Sequence, residues 1–158
     1  MDENYVQVLI DTITKKEETL RKILEITKRQ ELLSKQEVYS SDEMEATLNE
    51  KEIQIARINY LDEGFQSVYD RVRSEVRNNI EKYKQDVLTL QERIRTCTEI
   101  ANEIQVLEER NRNRFSALFS KTRSEYSTSK TRANVAQNYF KTMNNSKVMD
   151  AYFVDKKQ

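Results

Sequence analysis

The chain has 158 residues, 34% of them charged, with 27 Lys and Arg balancing 27 Asp and Glu. It contains no Pro and a single Gly, a shortage of turn formers that excludes sheet-rich and loop-rich folds and leaves an all-α chain of one domain. With no His, one Cys and no Gly-rich loop, it lacks the usual nucleophile, general-base and phosphate-cradle motifs, so no enzyme, cofactor or metal site is expected.

Charge is spread unevenly. Residues 1–75 hold 11 basic and 17 acidic side chains, residues 76–109 hold 5 and 7, and residues 110–158 hold 11 and 3. An acidic body with a basic end prefers different partners at its two ends. No apolar run approaches the ~18 residues of a membrane span. Met1–Leu9 carries Asp2 and Glu3 in place of a basic leader. The expectation is a cytoplasmic protein with no membrane insertion.

The first predicted helix runs from about Glu3 to about Leu33, with Asp2 as N-cap against the positive helix terminus. Val6, Leu9, Ile13, Leu20, Ile23 and Leu24 share one stripe, widened by Ile10, Ile26, Leu32 and Leu33. Thr27 falls where the seven-residue count wants an apolar residue, which predicts looser packing there. Ser34 to Tyr39 reads as a polar hinge, and Ser40 followed by Glu43 has the spacing of a capping box. So short a connector predicts that helices one and two are antiparallel.

The next stretch has the strongest periodicity. Every seventh residue from Leu48 gives Leu48, Ile55, Asp62, Tyr69, Val76, Tyr83, Leu90, Cys97 and Ile104, of which only Asp62 is not apolar. A second line passes through Ile58, Phe65 and Val72, then Ile80, Val87 and Ile94, and ends in Leu107. Two apolar positions per seven make the seam of a helix packed along another. The second line shifts by one place between Val72 and Ile80, as a turn or the drift of a straight helix would produce. Ser74, Asn78 and Asn79 are weak helix formers, placing the turn between Arg73 and Asn79. Gly64 reads as tolerated inside the helix, because Leu61, Phe65 and Val68 keep helical spacing across it. The third helix then extends to about Tyr126, adding Ile100, Phe115, Leu118 and Phe119 to the seam.

Without that turn, helices two and three fuse into a rod of about 85 residues, near 125 Å long. Only a second chain could cover its seam. The fold expected is an elongated antiparallel bundle of about three long helices, with a short C-terminal helix or mobile tail. Burial favours a monomer, and a long-hairpin homodimer is the alternative. Residues 1–126 make up the helical-bundle domain and residues 127–158 a basic, aromatic tail. Within the tail, Ser127-Thr128-Ser129 interrupts the pattern, and a short helix is expected over Lys130–Met143.

Each candidate site has a plain structural explanation beside it. Cys97 lies on the heptad line, as a small buried hydrophobe in a reducing compartment would. Glu17–Glu18 and Glu108–Glu109 read as solvated faces with i, i+4 pairing, not as acid–base pairs. Arg110, Arg112, Arg114, Lys121, Arg123, Lys130 and Arg132, interleaved with Phe115, Phe119 and Tyr126, could track a phosphate backbone. But Phe115 and Phe119 sit at core spacing and the chain is neutral, so no nucleic acid is expected. Val135, Tyr139, Phe140 and Met143, with Tyr152, Phe153 and Val154, either fold back onto the bundle or clasp an amphipathic helix of another protein.

Three features together resemble the FlgN family of flagellar export chaperones. They are the polar hinge before Ser40, the phrase Leu48-x-x-Lys51-x-x-x-Ile55-x-x-Ile58-x-x-Leu61, and the stretch Glu108 to Phe115. The resemblance covers about residues 1–125, and Ala151 to Lys157 stands outside the general pattern. It implies a chaperone that holds the amphipathic terminal helices of hook-associated (hook–filament junction) proteins, prevents premature assembly and delivers them to components of the type III export apparatus. By position, cargo contact would fall on Phe115, Leu118, Phe119, Val135, Tyr139, Phe140 and Met143. The filament-cap chaperone family FliT is similar in helical layout. A homodimeric coiled-coil scaffold or adaptor without secreted cargo is the reading from another class.

Overall fold

The structure is a computed structural model that describes residues 2–36 and 40–125, which form three helices and no strand: α1 (Asp2–Ser34), α2 (Ser41–Asn78) and α3 (Ile80–Glu125). At 1.5 Å per residue these are about 50, 57 and 69 Å long. The expected all-α bundle is what forms, with its three long helices distinct.

Local chemistry sets the ends. The Ser34 hydroxyl donates to the Glu31 carbonyl at 2.6 Å, and Lys35 and Gln36 donate tight-turn bonds to Leu32 and Leu33. Ser40 caps α2, its Oγ accepting the Glu43 N–H at 3.3 Å, with Asp42 and Glu43 in the positive first turn. A single residue, Asn79, separates α2 from α3, at φ −131° and ψ 49°. Its amide side chain donates to the Glu75 carbonyl at 2.9 Å, while its own carbonyl accepts the Tyr83 N–H at 3.2 Å. The turn thus falls at the far edge of the Arg73–Asn79 interval, and α2 passes Arg73 and Ser74 uninterrupted. Gly64 stays inside α2, where an added methyl would meet nothing within 4 Å.

Cross-helix contacts give the topology. Lys16 and Thr19 of α1 meet Asp62 and Arg57 of α2, while Gln30 meets Thr47 and Lys51, so α2 runs antiparallel to α1. In α3, Cys97 Sγ lies 3.8 Å from the Ile13 carbonyl, and Asn111 Nδ2 donates to the Thr27 carbonyl at 3.1 Å. Both pairs are 84 residues apart, so α3 runs parallel to α1 in constant register. α1 packs closely along both partners, whereas α2 and α3 approach each other at few places.

The core falls into two clusters. The larger joins Leu9, Ile13, Leu20 and Ile23 to Ile55, Ile58, Phe65 and Val72, and to Cys97, Ile100 and Ile104. The smaller joins Met44, Leu48 and Phe115, with Leu33, Leu118 and Phe119 against them. Between the two lies a buried polar layer of Thr27, Gln30, Thr47, Lys51, Glu108 and Asn111. This layer corrects two expectations, and a third correction lies outside it. Thr27 is fully buried, its hydroxyl 2.7 Å from the Ile23 carbonyl, so packing there is tight. Glu108 leaves the solvated face to become the counterion of Lys51, with Leu107 half-buried beside it. Leu32 is 64% exposed and does not widen the α1 stripe.

Candidate functional site

The sparse approach of α2 to α3 leaves a groove open near the Asn79 turn, with α1 as its floor. Val6 and Leu9 of α1, with Phe65 and Val72 of α2, form its buried base. Tyr69 and Val76 of α2, facing Val87, Leu90 and Ile94 of α3, are its half-buried walls. Ile80, 60% exposed, stands at the mouth. The enclosed volume is about 510 Å³, within the range of ligand-binding clefts. The Phe65 and Tyr69 rings stack with centroids 6.2 Å apart and planes 10° from parallel, stiffening one wall. The polar residues lining the groove are Arg73, Arg77 and Gln91.

Far from the turn, side chains bridge the same α2/α3 seam. Lys51 reaches across it to Glu108 at 2.8 Å, and Phe115 fills the space against Met44 and Leu48. A more open hollow between α1 and α3, over Leu32, Val106 and Leu107, is edged by Lys28, Glu31, Glu103 and Arg110, charges of both signs. The hairpin-end groove is the more enclosed of the two and has the larger number of apolar residues in its lining.

Electrostatics in the interior is dominated by desolvation. Burial pulls the Lys51 ammonium below its ordinary pKa, and Glu108 opposes this without overcoming it. Burial raises the Asp62 carboxyl above the usual carboxylate range, and Lys16 at 2.7 Å counteracts part of the shift. The Cys97 thiol, 1% exposed, is pushed up to about 12 by burial, which makes it an inert packing group, as its heptad position suggests. Among the described residues no cluster of His, Cys, Asp or Glu could hold a metal ion. The groove therefore offers apolar contact with two cations at its rim, which is the chemistry of binding.

The residues expected to touch cargo divide in two. Phe115, Leu118 and Phe119 do come together. Phe115 is fully buried and stacks on Phe119 with centroids 5.9 Å apart and planes 21° apart. Leu118 and Phe119 are half-buried on the same cluster, so Phe115 serves the core and only the other two reach the surface. Val135, Tyr139, Phe140 and Met143 lie outside the described residues. In the basic run, Arg110 and Arg114 face Glu31 at 3.5 and 3.8 Å.

The groove has no counterpart in the seven-residue pattern of the sequence, in which its walls are ordinary seam positions. A signal was present in the one-place shift of the second apolar line between Val72 and Ile80. Across that shift, side chains that would pack together on one straight helix diverge onto the two legs of a hairpin.

No helix of the described residues is long and apolar enough to cross a membrane. Comparison with curated proteins and with solved structures gave no match. The family model described as FlgN protein matches residues 1–147, reaching past α3 over Val135, Tyr139, Phe140 and Met143 and so beyond the expected limit near residue 125. Covering nearly the whole chain, this match makes the protein a member of the FlgN family of flagellar export chaperones.

Proposed function

We propose that the chain is a cytoplasmic chaperone for hook-associated (hook–filament junction) proteins, holding their amphipathic terminal helices and delivering them to the type III export apparatus. The open apolar groove between α2 and α3 is the observation that supports this reading. A helix destined for polymer contacts carries an apolar stripe that aggregates in water. Laid against Tyr69, Val76, Val87, Leu90 and Ile94, that stripe is removed from solvent at roughly 25 cal/mol per Å² of apolar area. Loss of rotational freedom and ordering of the cargo offset part of the gain, so the complex stays reversible enough for transfer.

Leu118 and Phe119, with Val135, Tyr139, Phe140 and Met143, form the second contact in this reading, at the opposite end of α3. A cargo terminus with two amphipathic segments can engage both ends.

Light scattering on a sizing column, with the chain alone and then mixed with a hook–filament junction protein, tests the proposal. A monomer of 18.8 kDa that moves into a soluble heterocomplex supports it. A constitutive dimer indifferent to the cargo would instead point to a coiled-coil scaffold. Capture of a filament-cap protein in place of the junction protein would reassign the cargo.

A further inference from the structure

We infer that the groove selects amphipathic helices whose apolar stripe is flanked by a pair of carboxylates one helical turn apart. This rests on the reading of the groove as a helix-binding site and adds the chemistry of the partner. Arg73 and Arg77 are the charged residues that line the groove, four apart on the outer ridge of α2, with their Cβ atoms about 6 Å apart. Both are exposed, and among the described residues neither is in an ion pair. Arg21 and Arg93 are engaged by Glu17, Arg29 by Glu50, and Arg110 and Arg114 by Glu31; of the described arginines left without an ion pair, which include Arg71, Arg95 and Arg112, Arg73 and Arg77 are the ones that line the groove. Two uncommitted guanidiniums beside an apolar trough complement two carboxylates at i and i+4 of a docked helix, each able to take a forked pair of hydrogen bonds.

The same rim argues against occupation by the chain's own end. Residues 126–158 hold six Lys and Arg against two Asp, so they would bring like charge to Arg73 and Arg77. The occupant is therefore a helix of another protein with acidic flanks. A second copy of this chain would need to offer a continuous exposed apolar stripe, and the large apolar side chains exposed on the described surface come at most in twos, Ile53 with Tyr60 on one face of α2 and Leu32 with Val106 between α1 and α3.

The test uses the full chain and three labelled helical peptides that share one apolar stripe and carry Glu, Gln or Lys at two flanking positions four apart. Fluorescence anisotropy at low salt should rank Glu first, about fivefold to tenfold tighter than Gln, with Lys weakest. The paired reversal R73E and R77E should invert that order, and both residues are exposed, so the fold survives the change. Equal affinity for all three peptides, lost on Leu90→Glu, would overturn the charge selection and leave the groove as a binding site. No binding by any peptide, or binding untouched by Leu90→Glu, would overturn both. A chain that runs as a dimer on a sizing column and is converted to monomer by saturating Glu peptide would hand the groove to a second copy and also overturn the inference.

Discussion

Lys51 of α2 places its Nζ 2.8 Å from Glu108 Oε1 of α3, and both side chains are 1% exposed. The same ammonium donates to Gln30 Oε1 at 2.7 Å, and the Gln30 amide donates to Thr47 Oγ1 at 3.2 Å, so one layer ties all three helices. Such a layer fixes register, because sliding any helix by one turn would bury a charge without its counterion. Replacing one partner alone, by Lys51→Met or Glu108→Leu, should cost about 3–5 kcal/mol in urea unfolding. The double replacement should recover roughly half or more of that loss. Simply additive losses would show that the two residues are not coupled.

Asp62 supplies a pH signature of unusual sign. Its carboxyl is raised by burial, so between the unfolded value of about 3.9 and its raised folded value the native chain binds a proton that the unfolded chain does not. Stability from this site should therefore grow as pH falls through that window and be lost as pH rises through the folded pKa. Asp62→Asn cannot titrate there. Measured as urea midpoints from pH 7 down to pH 4, wild type should gain on the variant as acid is added. A loss would mean that Lys16 outweighs burial.

Cys97 should behave as a reporter of unfolding. With its pKa pushed up to about 12 and its side chain buried, almost no accessible thiolate exists at pH 8. Labelling by a thiol reagent should be slow in the native chain, reach full speed in denaturant, and follow the global unfolding equilibrium between those limits. Rapid native labelling would show that the centre of α3 opens locally.

Ile80 allows binding to be separated from folding. It is 60% exposed at the mouth of the groove and opens α3, where a negative charge is favoured by the helix terminus. Ile80→Glu should leave helicity and melting within about 0.5 kcal/mol of wild type. It should also weaken capture of a hook-associated protein in co-purification. Leu118→Glu with Phe119→Glu, at the opposite end, tests the second contact in the same assay, with circular dichroism guarding against damage to the cluster around Phe115.

Much of the fold was legible because it rests on local rules. The hinge after Leu33, the Ser40 cap, the tolerated Gly64 and the turn beside Asn78–Asn79 all follow from capping and propensity. The buried polar layer was harder to read, since Lys, Glu and Asn are ordinarily surface residues. Position would have helped: Lys51 lies seven before Ile58, Glu108 seven before Phe115, and Asn111 seven after Ile104. Each holds a seam position whose neighbours are apolar. A single helix cannot say which polar seam residue will find a partner, because that depends on the level at which another helix crosses. The groove escaped for a related reason. It is a gap between helices, and periodicity along one chain segment records which residues face inward, not how far apart the facing segments lie.

The constant interval of 84 residues between α1 and its contacts on α3 has a consequence for synthesis. As the chain leaves the ribosome, α2 can pair with α1 soon after it emerges, but the other side of α1 must wait for residues still being translated. At ~5–20 residues per second that wait is roughly 4–17 s. For those seconds the nascent chain exposes an unpaired amphipathic surface of the same kind that, under the proposed function, it shields on its cargo. Until α3 arrives, the chaperone has the folding problem of a client.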